Sequence, residues 1–394
     1  MKIRVGVFFG GQSCEHEVSC ISANQALHAL DADKYEVIPV YIAKNRDFYS
    51  GPELFDLANY GDLNQLTAKL QKVSFYKDGE HVYMRPVKES FFKHTQQEID
   101  VAFLVMHGTG GEDGTLQGYV EMLGLPYTSS NVLGSAIGQD KEIMKEVLAF
   151  NKLSIIPWFA INMKEFEEDP APYQMKADEL GYPLILKPAN LGSSIGITFA
   201  ENADEFLEKV REAGKFDFKV VVEKKLEGFR EVNCSVMGSI GEGTPSEVEE
   251  VTREGFLGFG EKYLGDGKAK GAKVPAKAPA KASKGMASTA RKVPAELKEG
   301  QTEAVKKLAV ATFKALNAQG VVRIDFMIDK DDRIYVNEIN SIPGSLAFYL
   351  WEAAGMNFSE ECDKLIDLAI KRQRDKEKKV FSFESNILQN YGRK

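Results

Sequence analysis

Two apolar runs near the end of the chain lie almost back to back. Val321-Val322-Arg323-Ile324-Asp325-Phe326-Met327-Ile328 and Arg333-Ile334-Tyr335-Val336-Asn337-Glu338-Ile339-Asn340 are separated only by Asp329-Lys330-Asp331-Asp332. Strand-forming residues on either side of a short polar turn predict an antiparallel hairpin. A turn centred on Asp331-Asp332 sets Asp325 opposite Glu338 and Arg323 opposite Asn340. Side chains alternate faces along a strand, so these four polar groups share one face, and Ile324 and Phe326 take the other, toward a core. Arg, Asp, Glu and Asn on one sheet face make a poor core. They make a good oxygen-donor site for a hard cation such as Mg²⁺, with Arg323 set to meet phosphate or a developing oxyanion. For the hairpin alone, an exposed face whose charges merely pair with one another is the competing reading.

The start of the chain has a different character. Ile3 to Phe9 reads as a buried strand entering Gly10-Gly11. The apolar spacing from Glu15 to Leu30 fits a helix ended by Asp31 and Asp33, and Tyr35 to Ile42 is a second strand. Strand, Gly-rich turn, helix, strand opens an α/β unit with a parallel sheet. Residues 43–97 elaborate this first segment. Asp100 to Met106 is a further strand entering His107 to Gly114, and a helix over Thr115 to Leu123 follows, stopped by Gly124. A second segment takes a helix over Ser135 to Phe150, strands at Leu184 to Lys187, Ile195 to Phe199 and Lys219 to Glu223, and a helix over Asp204 to Ala213. A third alternates strands (Val232 to Met237 and the hairpin) with helices at about Thr302 to Leu316 and Glu360 to Lys371. A chain of 394 residues is too long for one ordinary core. We expect an α/β and α+β protein in three parts, 1–131, 132–227 and 228–394. Lys268 to Lys284, mostly Lys, Ala, Gly and Pro, reads as a solvated loop. Its place between ordered segments suits a flap over about 255–292 that closes on bound phosphates.

A second chemical pattern is Tyr182-Pro183-Leu184-Ile185-Leu186-Lys187-Pro188 followed by Ala189-Asn190-Leu191-Gly192-Ser193-Ser194-Ile195-Gly196. A Lys closing an apolar strand before a Gly/Ser loop puts a cation beside backbone N–H groups that can cradle phosphate. Glu223-Lys224, ending the next strand, is placed to read an adenine amino group and ring edge. Taken singly, each is also an ordinary strand end. G-x-x-x-x-G-K-[ST] is absent, and His107 to Gly114 does not fit G-x-G-x-x-G, so neither a P-loop nor a Rossmann site is expected. Neither G-x-S-x-G nor H-E-x-x-H occurs. The four cysteines are scattered without a C-x-x-C pair and read as free thiols. A net charge of −8 argues against general binding to nucleic acid or anionic lipid. With no membrane-length apolar run and no secretory leader, a cytoplasmic location is expected.

Taken together, these residues resemble the ATP-grasp superfamily and, within it, the D-alanine–D-alanine ligases. The resemblance runs in order through Gly10 to Ser19, His107 to Gly118, Gln139-Asp140-Lys141, Leu186 to Gly196, Val222 to Glu231, Glu261 to Leu264, Arg323-Ile324-Asp325, Asn337 to Asn340 and Pro343-Gly344. It implies a three-domain fold with ATP between two antiparallel sheets. Lys141 and Lys187 would contact ATP phosphates, Glu223, Lys224 and Leu226 the adenine, and Glu231 the ribose. Asp325, Glu338 and Asn340 would hold two Mg²⁺ (or Mn²⁺) ions, while a need for K⁺ stays open. Glu15, linked to Ser193 and Tyr263, would meet the ammonium of the first D-alanine. Arg323 and the Gly344 N–H would stabilise the tetrahedral oxyanion. His107 and Lys262 would serve substrate binding, and a homodimer without nucleic-acid or membrane partners is implied.

The sequence also departs from that family. After Pro343-Gly344 many relatives carry a Ser that binds the second D-alanine's carboxylate; here Ser345-Leu346-Ala347-Phe348-Tyr349-Leu350-Trp351 puts Tyr349 at or near that position. The expected activity is ligation of two D-alanines through a D-alanyl phosphate, for peptidoglycan precursors. D-Serine or D-lactate as acceptor, or a regulator that binds nucleotide without turnover, are the alternatives; Tyr263 speaks against lactate.

Overall fold

The computed structural model describes residues 2–88, 96–251, 291–382 and 391. Lys262, Tyr263 and the Lys268 to Lys284 flap lie outside these residues. Three sheets organise the described chain. The first is made of β1 (Ile3–Gly10), β2 (Tyr35–Ile42), β3 (Phe48–Ser50), β4 (Gln71–Asp78), β5 (His81–Pro86), β6 (Gln97–Ile99) and β7 (Val101–Leu104), in the order β6-β5-β4-β3-β2-β1-β7. β1 pairs in parallel with β2 and β7, and the other pairs are antiparallel. The "elaboration" of residues 43–97 is thus the antiparallel wing of this sheet. Val5, Val7, Phe8 and Phe9 are fully buried, as expected of a strand with neighbours on both edges and cover on both faces.

The second sheet comprises β8 (Trp158–Asn162), β9 (Leu184–Pro188), β10 (Thr198–Ala200) and β11 (Lys219–Lys224), in the order β10-β9-β11-β8, all antiparallel. The third comprises β12 (Arg230–Ser239), β13 (Glu242–Val251), β14 (Arg291–Lys292), β15 (Gly320–Ile328) and β16 (Ile334–Asn340), in the order β14-β13-β12-β15-β16, also antiparallel. β8 and β13 were not anticipated from sequence. The strand expected from Ile195 begins only at Thr198, because Ser193 and Ser194 sit at φ 55° and 59° and Gly196 at φ 72°. The helix expected over Ser135 to Phe150 is two, Val132–Gln139 and Lys141–Phe150. Asp140 breaks it by capping the second: its Oδ1 accepts from the N–H groups of Glu142 and Ile143, at 3.0 and 3.2 Å. Met144 and Leu148 of that second helix pack into the core of the third sheet, not the second.

Candidate active site

The hairpin pairs as its sequence predicts at the polar end and differs at the turn. Arg323 faces Asn340 and Asp325 faces Glu338, but Phe326 faces Val336 and Ile328 faces Ile334. One residue, Asn337, is therefore extra on β16 and forms a β-bulge. The bulge reconciles an odd-length turn with the face that the polar groups must share. Ile324 and Phe326 are fully buried in the third sheet's core, together with Val232, Cys234 and Val236 of β12. On the opposite face the Arg323 guanidinium makes a two-pronged pair with Asp325, Nε to Oδ1 at 2.7 Å and Nη2 to Oδ2 at 2.8 Å. Burial works against the Arg323 charge, but Asp325 outweighs it and holds the guanidinium well above its ordinary pKa. Asn340 Nδ2 donates to Asp325 Oδ2 at 3.2 Å. Asp325, Glu338 and Asn340 form an oxygen-donor set of two carboxylates and an amide; among the described residues no cluster of three His, Cys, Asp or Glu competes with it.

Across from this face stands the end of β9. Lys187 Nζ donates to Glu223 Oε2 at 2.9 Å and to Asn337 Oδ1 at 3.1 Å, so the bulge residue ties the second sheet to the third. Glu223 is clamped on its other oxygen by Lys145, 3.1 Å away and wholly buried. Burial pushes the Glu223 carboxyl up, but the two ammonium groups outweigh it and hold it at about 2. Its side chain therefore faces inward to lysines, and any adenine contact at this position falls to the main chain. Lys224 is likewise engaged, donating to the carbonyls of Gly181 and Tyr182 at 2.9 and 2.7 Å. Lys141 Nζ donates to the Leu191 carbonyl at 2.6 Å, and burial lowers its pKa against the pull of Glu338. Lys141, Lys187, Glu231, Glu338 and Ser194 line one cleft between the second and third sheets, and Leu226 lies half-buried in the turn from β11 to β12.

The first sheet closes the site from the side. Ser193 donates a short hydrogen bond to Glu15 Oε1. Gly108 has φ 69°, and a Cβ there would come within 2.6 Å of Glu15 Oε2 and 2.5 Å of Ser13 Oγ, so only glycine lets this loop approach the carboxylate. His107 is buried and, because the Ile342 carbonyl can only accept, Nδ1 carries the proton and donates to it at 2.8 Å. Nε2 then accepts from Ser22 Oγ at 2.8 Å, and Ser22 Oγ accepts from the Ser345 N–H at 2.8 Å. His107 thus fixes the loop at Gly344, where Ser345, Leu346 and Ala347 take left-handed φ values of 52°, 53° and 56°. Such conformations in non-glycine residues carry strain that the surroundings must hold. Glu112 accepts from the N–H groups of Gly108 and Ile342, at 2.8 and 2.9 Å. Burial and then the Glu15 charge push its carboxyl up to about 8.

Tyr349 lies beside Arg323, its hydroxyl donating to Glu249 Oε1 at 2.9 Å and accepting from Arg291. Sequence reasoning passed over Glu112, Lys145, Glu249 and Arg291. Glu112 lies inside the Gly-rich stretch already singled out, and Lys145 is one helical turn past Lys141, a spacing that puts both on one face. Nothing local marks Glu249 and Arg291, since Glu249 and Tyr349 are 100 positions apart.

A lysine-lined, Gly/Ser-edged cleft facing an acidic oxygen-donor set, with a buried carboxylate and a guanidinium beside it, is suited to moving a phosphoryl group onto a small zwitterion. Comparison with known proteins agrees. A family model described as the D-ala D-ala ligase N-terminus matches residues 4–130, and one described as the C-terminus matches 147–293 and 281–367. The D-alanine–D-alanine ligase of Thermosipho melanesiensis is 38% identical over 98% of both chains. That of Geobacillus thermodenitrificans is 34% identical over 98% of this chain and all of its own. Among solved structures, the D-alanine–D-alanine ligase from Coxiella burnetii superposes with a TM-score of 0.77 at 28% identity, covering 96% of each chain. The VanG D-Ala:D-Ser ligase from Enterococcus faecalis gives 0.74 at 27% identity, covering 94% of this chain and all of its own. Matched along its length, the chain belongs to the D-alanine–D-alanine ligase family and has its ATP-grasp fold.

Proposed function

We propose that this protein joins two molecules of D-alanine to D-alanyl-D-alanine, consuming ATP and releasing ADP and phosphate. The observation that carries the reading is the Ser193 to Glu15 hydrogen bond, which brings a buried carboxylate from the first sheet onto the phosphate-cradling loop. In this reading Glu15 takes the ammonium of the first D-alanine, and its carboxylate oxygen attacks the γ-phosphorus. The bond from that phosphorus to the β,γ-bridging oxygen breaks and ADP leaves. Lys141 and Lys187 hold the phosphates, Glu231 the ribose, and the main chain at Glu223, Lys224 and Leu226 the adenine. The second D-alanine's amine then attacks the acyl carbon, phosphate leaves, and Arg323 with the Gly344 N–H carries the oxyanion charge.

Asp325, Glu338 and Asn340 bring two carboxylates and an amide oxygen to one face, and Glu338 lines the cleft with Lys141 and Lys187, a set that fits Mg²⁺ or Mn²⁺. Such an ion supplies charge neutralisation at the phosphates when bound. Relatives named as D-alanine–D-alanine ligases favour D-alanine as acceptor, and the VanG neighbour keeps D-serine as the second reading. A cytoplasmic homodimer completes the proposal; among the described residues no helix is long and apolar enough to cross a membrane.

The test is phosphate release with ATP and Mg²⁺ over D-alanine, D-serine, D-lactate and the L-forms, with products identified by mass. D-Alanyl-D-alanine from D-alanine alone is expected. Release that needs a different second substrate moves the activity to a mixed ligase. Arg323→Ala should slow turnover by roughly 10²–10³-fold with ATP affinity nearly unchanged; a variant of normal activity would remove Arg323 from the oxyanion role.

A further inference from the structure

Lys145 is a fully buried lysine that the ligation reading leaves without a task. It lies in the Lys141–Phe150 helix, where Met144 and Leu148 pack into the apolar core of the third sheet. A cation in such a place is costly unless it is paired. Glu223 Oε1, 3.1 Å away, belongs to the one carboxylate in contact with it among the described residues. Burial lowers the Lys145 pKa; Glu223 opposes the fall, and the charges of Lys187 and Lys141 deepen it. Three ammonium groups and one carboxylate, all buried, therefore share this part of the seam between the second and third sheets. Lys141 and Lys187 line the nucleotide cleft, whereas Lys145 and Glu223 are not among the described residues that line it.

A lysine ammonium has three hydrogens to donate. Lys187 gives one to Glu223 Oε2 at 2.9 Å and one to Asn337 Oδ1 at 3.1 Å, which leaves a single hydrogen for a phosphate. How strongly Lys187 attracts that phosphate depends on how much of its charge Glu223 cancels. Opposite charges in a water-poor interior attract strongly, and a carboxylate with one ammonium for a partner closes into a neutral pair. A second ammonium on the other oxygen divides the carboxylate's pull and leaves the trio with a net positive charge. It also holds the Glu223 side chain turned inward. We propose that Lys145 is a positioning residue for nucleotide binding, engaging Glu223 so that Lys187 keeps its ammonium charge for an ATP phosphate. The inference rests on the nucleotide part of the ligase reading and extends it to a side chain outside the lining of the cleft.

Binding of a non-hydrolysable ATP analogue with Mg²⁺, measured by titration calorimetry, tests this through a pair of substitutions. Lys145→Met nearly keeps the length of the side chain and removes its charge. It should weaken analogue binding by about tenfold or more, because Glu223 then turns its whole charge on Lys187. In turnover, KM for ATP should rise while the KM values for D-alanine stay nearly unchanged. The same substitution made on top of Glu223→Gln should cost less than about threefold, since no carboxylate charge remains to be divided. A role in packing alone predicts equal losses in the two backgrounds. Equal losses, or a folded Lys145→Met protein with unchanged affinity, overturn the proposal. If thermal unfolding shows that Lys145→Met does not fold, the comparison of Glu223→Gln with the double variant carries the test. Near-equal affinities then support the proposal, and a double variant that binds far more weakly overturns it. Failure of the unaltered protein to bind the analogue would overturn the nucleotide reading itself, and this inference with it.

Discussion

Glu112 shows how a single side chain sets a pH limit on the whole molecule. Its carboxyl is buried next to another carboxylate, Glu15, and is held at about 8 against an ordinary value of 4.5. A folded-state pKa above the unfolded one means the native protein binds the proton more tightly. Stability is then full below the unfolded value and is lost as pH rises toward 8. The size of that loss at neutral pH is of the order of 3 kcal/mol, a large part of a typical folding free energy. Melting temperature without ligand should therefore fall between pH 5 and pH 8, and Glu112→Gln should flatten the fall. A fall equally steep in the variant would assign it to other groups. Glu223 has the opposite sign: held at about 2 by two ammonium groups, it stabilises above its unfolded value and loses that contribution only as pH drops toward 2. The contributions of these two carboxylates favour a mildly acidic optimum for the unliganded protein.

At the scale of elements, the Phe358–Glu377 helix combines a well-made start with a misplaced charge. Asn357 and Glu360 form a capping box, each side chain serving the other's backbone N–H. One residue further on, Glu361 is fully buried, and among the described residues neither carboxylate oxygen has a hydrogen-bond partner. Burial, then Glu352, push its pKa well above the ordinary value, which favours the neutral acid. An unpartnered buried polar group costs about 1–3 kcal/mol, and Glu361→Leu should recover that much, with a gain that grows as pH rises. Equilibrium unfolding in urea at pH 6 and pH 9 measures it; a less stable variant at both would show that the carboxyl serves a purpose its surroundings conceal. Elements of this kind also mark the limits of what sequence conveys. The hairpin and its polar face were legible because strand period and turn length act over a few residues. The Asn337 bulge was not, since it follows from the partner strand. β13 escaped notice because Glu247, Glu249 and Glu250 read as solvated, whereas Lys306, Arg291 and Arg230 pair with them from distant positions. Lys187 and Arg323 could be picked out as chemistry-bearing, but the inward turn of Glu223 depends on Lys145, four residues after another lysine in a separate helix.

The described residues of the molecule form three apolar cores, and these are joined unequally. The core of the first sheet runs on without a break into Val321, Leu346, Trp351 and Leu365 of the C-terminal part. Arg372 adds to that union by donating to the Ser129 carbonyl at 2.7 Å and lying 4.0 Å over the Tyr127 ring. The second sheet keeps a core of its own, with Leu184, Leu186, Val220 and Val222 packed on Phe166 and Phe206. Its links to the rest are mostly polar: Lys187 to Asn337, Glu223 to Lys145, Lys219 to Asp140 and Glu142, and the Ser193 contact with Glu15. Polar links of this kind are weaker than a continuous apolar core, so residues 158–224 should open as a unit at lower free energy than the joined first and third sheets. The nucleotide cleft lies on that seam, lined by Lys187 from one side and Glu338 from the other. A ligand bound there would favour the closed form by about 2.7 kcal/mol at a hundred times its Kd. Amide hydrogen exchange should accordingly be faster in β9 and β11 than in β1 and β7 without ligand. A non-hydrolysable ATP analogue with Mg²⁺ should slow exchange in the second sheet by up to about 100-fold and leave β1 little changed. Equal slowing in all three sheets would mean that they open as one cooperative unit, and no slowing in β9 and β11 would mean that the nucleotide does not bridge the seam.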